Sequence, residues 1–369
     1  MKVLMAAPYN PKGRYKGGIS SIVTEMLAHK DLLQRHNLDI VPFDTCRVSR
    51  DAAATGKMKF QNIQNALCIM RDLPKNISET QAKIVYYHTS VKWALLKDLL
   101  AVRKAKKKIG VFTVIHIHFA EYNQIMTGNK VIDSYILRLM KRYVDRIVFL
   151  SSKTKDEFVE RGILEDKCKV IYNFSTLHYK EEELALSQEK TSMEFLFVGS
   201  IDNRKGIFDA LDVLSKMDKP FTFHICGTWQ NEENEEKFKH YANLLGEKLV
   251  YHGYVSGEKK RELFQKADVL LLPSYGEGLP VVILEAFSAG CAVVASNVGA
   301  IPEIVNGNSE LVLPGDKDGL MYTIESYYDL GKQELIKQKQ INYQRSFLYT
   351  LDKFVENVAI ALKLERKER

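Results

Sequence analysis

The sequence predicts an α/β fold with two parallel-sheet domains that face a cleft, and three observations support this prediction. Short continuous apolar runs, such as residues 2–7, are typical of strands that are buried on both faces of a parallel sheet. Many of these runs precede a turn and a segment with helical spacing of apolar residues. This alternation occurs twice, on either side of the polar, charge-rich segment 175–191. Ligands of such sheets collect at the carboxyl ends of the strands.

The composition is that of a globular protein with two domains of ordinary size. The chain has 369 residues, of which 46% are hydrophobic and 27% are charged. We predict a first domain at 1–173, a linker at 174–191 and a second domain at 192–344, followed by a C-terminal helical segment at about 345–369. No run is long and apolar enough to span a bilayer, and the N-terminus is interpreted as a strand and not a signal peptide.

Cysteine usage and net charge narrow the class of protein. The five cysteines are scattered without a CxxC pair, which argues against a zinc site or a disulfide framework and favours a cytoplasmic protein. The net charge of +7 fits an ordinary solvated surface. It also fits an anionic partner, such as nucleotide phosphates, a polyprenyl diphosphate or an anionic membrane face. No basic motif with interleaved aromatic residues is present, so nucleic acid is not an expected partner.

The first domain is predicted to contain six strands and five helices. The strands are expected at 2–7, 38–43, 83–88, 111–119, 146–151 and 169–173. The helices are expected at 19–29, 60–73, 93–108, 133–143 and 153–161. Pro74 is expected to lie just beyond the second helix, because proline lacks the N–H that a helix interior needs. The polar segment 47–59 is expected to be a mobile loop that covers an acceptor.

Two features of the first domain suggest contact with anions. Gly17 and Gly18 precede the first helix, where glycine lets a substrate approach the backbone at a helix N-terminus. The helix at 93–108 ends in five basic residues between positions 103 and 108. Their simplest role is to complement the helix dipole, and the alternative is a patch that binds a membrane surface.

Two histidines lie near the carboxyl end of the strand at 111–119. His116 and His118 point to the same face, because side chains alternate along a strand. A metal pair is one interpretation, but the only further ligand nearby in the sequence is Glu121. We therefore predict that the protein has no metal site.

The second domain repeats the pattern of the first. Its strands are expected at 194–199, 221–227, 248–251, 268–273 and 291–295. Its helices are expected at 207–217, 259–267, 281–289 and 316–327. Arg204 and Lys205 lie in the turn before the helix at 207–217, either as an exposed basic turn or as a phosphate clamp beside a helix N-terminus.

The stretch 273–300 is the most informative part of the chain. Pro280 can start a short, almost wholly apolar helix, and that helix carries Glu285. Glu277 lies in the glycine-rich turn just before it. A buried carboxylate needs a bonding partner. Glu285 is either a satisfied core acid, or both acids accept hydrogen bonds from sugar hydroxyls while the helix start cradles a phosphate.

These residues carry a family resemblance. The pattern formed by Glu277, Gly278, Pro280, Leu284, Glu285 and Ala286 resembles the donor-site signature of retaining glycosyltransferases of family 4. The resemblance implies the GT-B architecture, in which two Rossmann-like domains face a cleft and the final helix crosses back onto the first domain. It covers nearly the whole chain and is most specific from Val198 to Gly315.

The resemblance also implies roles for individual residues. Three residues would act at the reacting centre. Glu277 would accept a hydrogen bond from a donor-sugar hydroxyl, and Lys205 would stabilise the charge on the leaving diphosphate. His118 would contact the donor sugar, with His116 as the second choice for that role. Glu285 would accept from the ribose, and Arg204 would also contact the donor. The other donor-binding residues would be the loop and start of the helix at 281–289, the turn beside the base, and the first glycine pair, in that order: Gly278, Leu279 and Pro280; Tyr254 and Val255; Gly17 and Gly18. Ser200 stands where the family has arginine, and Phe119 stands where the family has a small residue.

The expected function is therefore transfer of a sugar from a nucleotide-diphosphate donor, most simply a UDP-sugar, to a hydroxyl of a glycan or polyprenyl-linked acceptor. No cofactor is expected, because protein cations and helix dipoles stabilise the leaving diphosphate. The expected setting is bacterial surface polysaccharide synthesis at the inner face of the cytoplasmic membrane. The alternatives are a UDP-sugar epimerase of the same architecture and a non-catalytic nucleotide-sugar-binding module. A dinucleotide oxidoreductase is remote, because no GxGxxG follows the first strand.

Overall fold

The structure is a computed structural model that describes residues 1–9, 17–46, 60–184, 192–305 and 311–363. The chain forms two compact units. The N-terminal unit comprises Met1–Asn173 and the chain from Leu351 onward, and the C-terminal unit comprises Phe174–Thr350. The predicted lid at 47–59 lies outside the described residues. None of the helices in the described ranges is both long and apolar enough to cross a membrane.

The N-terminal unit is built on a six-stranded parallel sheet. In chain order the strands are β1 (Lys2–Ala7), β2 (Asp39–Asp44), β3 (Ile84–Thr89), β4 (Phe112–Ile117), β5 (Arg146–Phe149) and β6 (Cys168–Val170). Their order in the sheet is β2-β1-β3-β4-β5-β6. Every residue of β3 is buried, as expected for a strand that is covered by helices on both faces.

Eight helices belong to the described part of this unit. They are α1 (Gly18–Ala28), α2 (Lys30–Arg35), α3 (Phe60–Thr80), α4 (Trp93–Ile109), α5 (Tyr122–Ile125), α6 (Lys130–Tyr143), α7 (Ser152–Glu160) and α15 (Leu351–Leu362). Helix α15 docks through the buried side chains of Phe354, Val355 and Val358, and Arg146 donates to the carbonyl of Ala361 at 2.8 Å.

The C-terminal unit contains a second parallel sheet of six strands. The strands are β7 (Met193–Val198), β8 (Phe221–Cys226), β9 (Leu249–Gly253), β10 (Val269–Leu272), β11 (Ala292–Ser296) and β12 (Leu311–Val312). Their order is β12-β11-β10-β7-β8-β9. The neighbours of β7 are β8 and β10, so the direction of winding changes between β7 and β10. In open α/β sheets, ligands bind outside the carboxyl ends of the strands at such a switch point.

Seven helices surround the described part of this sheet. They are α8 (Ile207–Ser215), α9 (Glu232–Leu245), α10 (Gly257–Lys266), α11 (Val281–Ser288), α12 (Ile301–Val305), α13 (Lys317–Asp329) and α14 (Gly331–Ser346). Helix α9 was not predicted from the sequence; six of its 14 residues are charged. Only Asn234, Phe238 and Leu245 are buried along it, which gives a weak apolar period.

Three predictions of local structure were wrong. Helix α3 does not end before Pro74 but continues to Thr80. Because proline has no N–H, the helix loses one backbone hydrogen bond at Pro74. The burial of Ile77 on the same face as Ile69 and Leu73 offsets that loss. The segment expected as a linker packs within the C-terminal unit up to residue 184, through Phe174 and other buried side chains.

The third error concerns the C-terminal segment. It is not one helix from 345, because α14 ends at Ser346 and α15 begins at Leu351. Between them the carbonyl of Tyr349 accepts a hydrogen bond from the N–H of Ser175 at 2.9 Å. The chain therefore leaves the C-terminal unit at Thr350, and not at 344.

Candidate active site

The central contact of the C-terminal unit joins two loops at the carboxyl ends of β7 and β10. The Lys205 Nζ atom lies 2.6 Å from Glu277 Oε1, and the Ser274 hydroxyl donates to the same oxygen at 2.7 Å. Glu277 is 6% exposed, and a carboxylate so buried needs such partners. Within the described residues, all hydrogen bonds of Glu277 reach Oε1, so Oε2 remains able to accept from a sugar hydroxyl.

The two loops are joined by backbone contacts as well as by this ion pair. The N–H of Tyr275 donates to the carbonyl of Arg204 at 2.8 Å, and the Arg204 guanidinium donates to the carbonyl of Gly276 at 3.3 Å. Asp202 accepts from the N–H of Lys205 at 2.9 Å. These contacts position the Lys205 side chain before any ligand binds.

At two positions near the site, another backbone segment lies so close that only glycine fits. Gly206 has φ of 66°, and a Cβ atom there would lie 1.8 Å from the carbonyl oxygen of Pro273. A Cβ atom on Gly299 would lie 2.4 Å from the carbonyl oxygen of Glu277. Any other residue at either position would push the Lys205 loop and the Glu277 loop out of place.

Helix α11 begins directly after the Glu277 loop. Its N-cap residue is Pro280, and no side chain caps the helix start. Gly278 and Leu279 precede it, and Leu279 is 4% exposed. A helix N-terminus that points at a ligand favours negative charge, so this position suits a phosphate group.

Glu285 lies within α11 and is 1% exposed. Its Oε1 atom accepts from Lys260 Nζ at 2.6 Å and from the Thr176 hydroxyl. Within the described residues these are its hydrogen-bond partners, and both reach the same oxygen. The structure therefore shows a satisfied buried acid whose second oxygen is still able to accept, so both interpretations of Glu285 remain open.

The remaining predicted donor residues are dispersed. Tyr254 and Val255 follow β9, two strands away from β7, and Tyr254 is 55% exposed. Gly17 precedes α1 in the N-terminal unit, and a Cβ atom added at Gly17 or Gly18 would have no described atom within 4 Å. Their own packing therefore does not require glycine.

The N-terminal unit places a histidine cluster at the carboxyl ends of β3 and β4. His116 stacks on His118 with ring centroids 4.1 Å apart, and the imidazole of His88 lies 5.0 Å from that of His118. The third histidine was missed because it lies far before His116 in the chain, on the neighbouring strand. Its position at a strand end, in the run KIVYYH, was the available signal.

Burial keeps these imidazoles neutral. It lowers the pKa of His118 to about 3, and it lowers the pKa of His88 and His116 well below the usual value, with the neighbouring histidines adding to the effect. His118 is the partly exposed member of the cluster. Its ring can therefore exchange hydrogen bonds with a ligand, but it is not a charged group at neutral pH.

Two family models match most of the chain. The model for glycosyl transferases group 1 matches residues 180–345, and the model for glycosyltransferase family 4 matches residues 17–177. The two six-stranded parallel sheets and the solved structures that share them define the GT-B fold, and the two family models define the class of protein as a glycosyltransferase. Together the two models cover residues 17–177 and 180–345, so the chain belongs to the family-4-like glycosyltransferases, as the signature from Glu277 to Glu285 in the second range predicted.

Relatives and solved structures agree with this assignment. An uncharacterised 41.2 kDa protein in the cps region of Klebsiella pneumoniae is 25% identical over 86% of this chain and 85% of its own length. The alpha-galactosylglucosyldiacylglycerol synthase of Streptococcus pneumoniae is 26% identical over 66% of this chain and 67% of its own. The lipopolysaccharide 1,6-galactosyltransferase of Escherichia coli is 26% identical over 48% of this chain and 51% of its own.

Among solved structures, the lipopolysaccharide outer core galactosyltransferase WaaB has a TM-score of 0.66 at 18% identity and covers 98% of this chain and 99% of its own. HepE from Anabaena in complex with UDP-glucose has a TM-score of 0.68 at 17% identity, with the same coverage. At these identities the likeness shows the fold.

Proposed function

We propose that the protein is a retaining, metal-independent glycosyltransferase that uses a UDP-sugar. The acceptor is a hydroxyl of a glycan or lipid-linked molecule in the synthesis of a bacterial surface polysaccharide. The observation that carries this proposal is the contact between Lys205 and Glu277 at the β7/β10 switch point, beside the start of α11. The UDP complexes of HepE support the donor class, and the glycolipid and lipopolysaccharide transferases among the relatives support the acceptor class.

The proposed roles are based on the donor and acceptor atoms of the site that can still form a hydrogen bond with the substrate. Lys205 carries three N–H groups and gives one to Glu277, so it can also donate to the leaving diphosphate. Oε2 of Glu277 accepts from a donor-sugar hydroxyl and places the anomeric carbon. The N–H groups at Gly278 and Leu279 and the dipole of α11 stabilise the charge that develops on the diphosphate.

The reaction breaks the bond between the anomeric carbon and the diphosphate oxygen. The acceptor oxygen forms its bond on the same face of the sugar, and its proton passes to the leaving diphosphate. Lys205, assisted by Arg204, stabilises that diphosphate, so the proposal assigns no step to a metal. Turnover by protein that has been treated with EDTA is expected to equal that of untreated protein, and a strict metal requirement would contradict the proposal.

Donor binding tests the proposal. We would titrate UDP, GDP and ADP into EDTA-treated wild type and into Glu285→Ala, with Glu236→Ala on the exposed surface of α9 as the matched control. Wild type and control are expected to bind UDP more tightly than GDP or ADP, and Glu285→Ala to lose at least about tenfold in affinity, the cost of about one charge-assisted hydrogen bond. Failure of wild type to bind any nucleotide would overturn the proposal.

Lys260 separates a ligand role of Glu285 from a structural role. Lys260→Met removes the cation beside Glu285 and leaves the carboxylate in place. If Glu285 contacts the ribose directly, UDP affinity falls more in Glu285→Ala than in Lys260→Met. Parallel losses of UDP affinity and of thermal stability in the two variants would assign Glu285 to the core. Product analysis with an acceptor then distinguishes transfer from epimerisation.

Association with the inner face of the cytoplasmic membrane is part of the proposal. Lys107 and Lys108 are exposed at the end of α4, and Arg138, Lys141 and Arg142 are exposed on α6, which packs against α4. Each basic residue near an anionic surface contributes about 1 kcal/mol. The variant Lys107→Glu/Lys108→Glu is expected to bind phosphatidylglycerol vesicles more weakly than wild type at low salt, whereas Lys239→Glu on α9 should not. Equal binding by all three proteins would contradict this part.

A further inference from the structure

We propose that His88, His116 and His118 form a binding site for one divalent cation of the zinc class. Among the described residues, these three bring together one potential ligand atom each, and the three atoms all lie within 4.8 Å of one another. The proposal rests on the geometry of the N-terminal unit alone. The proposed glycosyl transfer assigns no step to a metal, although His118 is also the residue predicted to contact the donor sugar.

Strand pairing explains why the three rings lie together. His88 of β3 and His116 of β4 are direct register partners in parallel strands, and their ring centroids are 5.3 Å apart. His118 follows two residues after His116, so it returns to the same face of the sheet. Its N–H donates to the carbonyl of Thr89 at 3.0 Å, which holds this residue beside the end of β3. Strand pairing and this backbone hydrogen bond therefore hold the three imidazole rings together before any ligand binds.

Two nitrogens of the cluster are buried without a partner among the described residues. They are Nε2 of His88 and Nε2 of His116, and the two side chains are 2% and 0% exposed. Leaving a buried polar atom unsatisfied costs about 1–3 kcal/mol, so native proteins rarely retain two of them side by side. An ion that accepts both lone pairs removes this cost.

The other ring nitrogen of His116 has the kind of contact that orients a metal ligand. His116 Nδ1 lies 2.7 Å from the hydroxyl of Tyr86, which is itself fully buried. A histidine that binds a metal through one nitrogen usually donates its other N–H to an oxygen, which holds the ring in the required orientation. Tyr86 supplies that oxygen from the same strand as His88.

Only a small rearrangement separates the cluster from a tetrahedral site. His88 Nδ1 and His118 Nε2 are 2.7 Å apart and share a hydrogen bond. This bond occupies Nδ1 of His88 and leaves its Nε2 for the ion, so only His118 must give up a hydrogen bond to become a ligand. Zinc bonds histidine nitrogens at about 2.0–2.1 Å, so ligand atoms that already lie within 4.8 Å of one another need to come to about 3.3 Å apart. His118 is at the accessible edge of the cluster, so its ring can turn away from that hydrogen bond and open an access path. Three imidazoles leave the fourth position for water, as in open zinc sites.

A purely structural hydrogen-bond network is the competing explanation. It accounts for the contacts between Tyr86 and His116 and between His88 and His118, but it leaves both buried Nε2 atoms unexplained. The two explanations therefore differ in one measurable property, which is stoichiometric affinity for a cation that prefers imidazole.

The test uses the full chain without a polyhistidine tag. After EDTA treatment and buffer exchange, Co²⁺ is titrated and its visible absorption recorded, and Zn²⁺ is then added in competition. Wild type is expected to bind one Co²⁺ with the intense bands of a tetrahedral site, and Zn²⁺ is expected to displace it. His118→Gln, the change at the partly exposed edge, is expected to weaken binding by about 100-fold or more, since even the loss of an outer-shell partner costs about 10–100-fold.

The controls separate this site from other histidines and from misfolding. His224→Gln removes a histidine of the C-terminal unit that lies 3.0 Å from His252, and it should bind Co²⁺ as wild type does. His88→Gln and His116→Gln should lose binding like His118→Gln, and circular dichroism and unfolding temperature check their fold. If the buried variants fail to fold, X-ray absorption of the cobalt-loaded wild type reports the ligands directly. Absence of stoichiometric binding by wild type, or unchanged binding by His118→Gln, would overturn the proposal.

Discussion

The two units have the same kind of sheet but carry different chemistry at its carboxyl edge. In the C-terminal unit the edge holds buried acids, and each is paired with a lysine: Glu277 with Lys205 and Glu285 with Lys260, both at 2.6 Å. In the N-terminal unit the edge holds three imidazoles that burial keeps neutral. In both units the parallel sheet therefore positions a candidate site at the carboxyl ends of its strands, and the side chains there determine which ligands the site can bind.

The largest expected effect is on turnover and concerns Glu277. Glu277→Gln keeps an oxygen that can accept from Lys205 and Ser274 but removes the negative charge. We expect kcat/KM to fall about 100- to 1,000-fold, the range for loss of one electrostatic contact to a transition state, when turnover is measured at a temperature at which the variant is folded. The matched control is Glu236→Gln on α9. Wild-type turnover by Glu277→Gln would show that the charged edge of the C-terminal unit is a structural feature only.

The second prediction concerns stability. Lys205→Met leaves the Glu277 carboxylate buried without its cation. We expect a loss of about 3 kcal/mol in the free energy of unfolding, near the lower end for a broken buried pair, because Lys205 retains 16% of its side-chain exposure. The double variant Lys205→Met/Glu277→Leu should recover part of this loss, as measured by calorimetry. A double variant less stable than the single one would show that the charge of Glu277 is not the cause.

The smallest expected effect is the pH dependence of a second histidine pair, in the C-terminal unit. Burial lowers the pKa of His224, partly opposed by its hydrogen bond to Glu194, and burial together with His224 lowers the pKa of His252. Lys259 and Lys266 of α10 lower both pKa values further. Because the folded pKa lies below the unfolded value, the unfolded state binds more protons as the solution becomes acidic.

The stability contributed by neutral His224 is therefore complete above about pH 6.5 and falls as the pH falls below that value. The unfolding temperature of His224→Gln should show a smaller decrease than that of wild type between about pH 7.5 and 5, on either side of the unfolded pKa. Hydrogen exchange of β8 peptides would assign the change to the C-terminal unit. Identical pH profiles for the two proteins would mean that His224 has the same pKa in the folded and unfolded states.

Patterns within one segment were predictable from the sequence. Continuous apolar runs placed β1 at its observed bounds, and the residues from Glu277 to Glu285 carried the family resemblance that the family models support. The start of α11 was also predictable, because Pro280 is suited to a helix start and cannot continue one from upstream. These signals depend on local sterics and periodicity, so they can be identified from a few consecutive residues of the sequence.

Contacts between distant segments were not predictable in the same way. Lys260 approaches Glu285 from another helix, and Lys205 reaches Glu277 from a loop 72 residues earlier in the chain, and neither contact has a local pattern. The same reason explains the missed third histidine. Near His118 in the chain the only further ligand type is Glu121, whereas the third histidine, His88, lies on the neighbouring strand of the sheet.

The sequence by itself determined every described strand except β12, the glycine-rich turns and the residues that carry the family signature, because each depends on the properties of a few consecutive side chains. Only the tertiary structure decided which charges are paired, which buried nitrogens are unsatisfied, and that α3 continues through Pro74. The physical reason is that strand register and helix packing bring together residues far apart in the chain, and the free energy of a buried polar group depends on the partners it meets there.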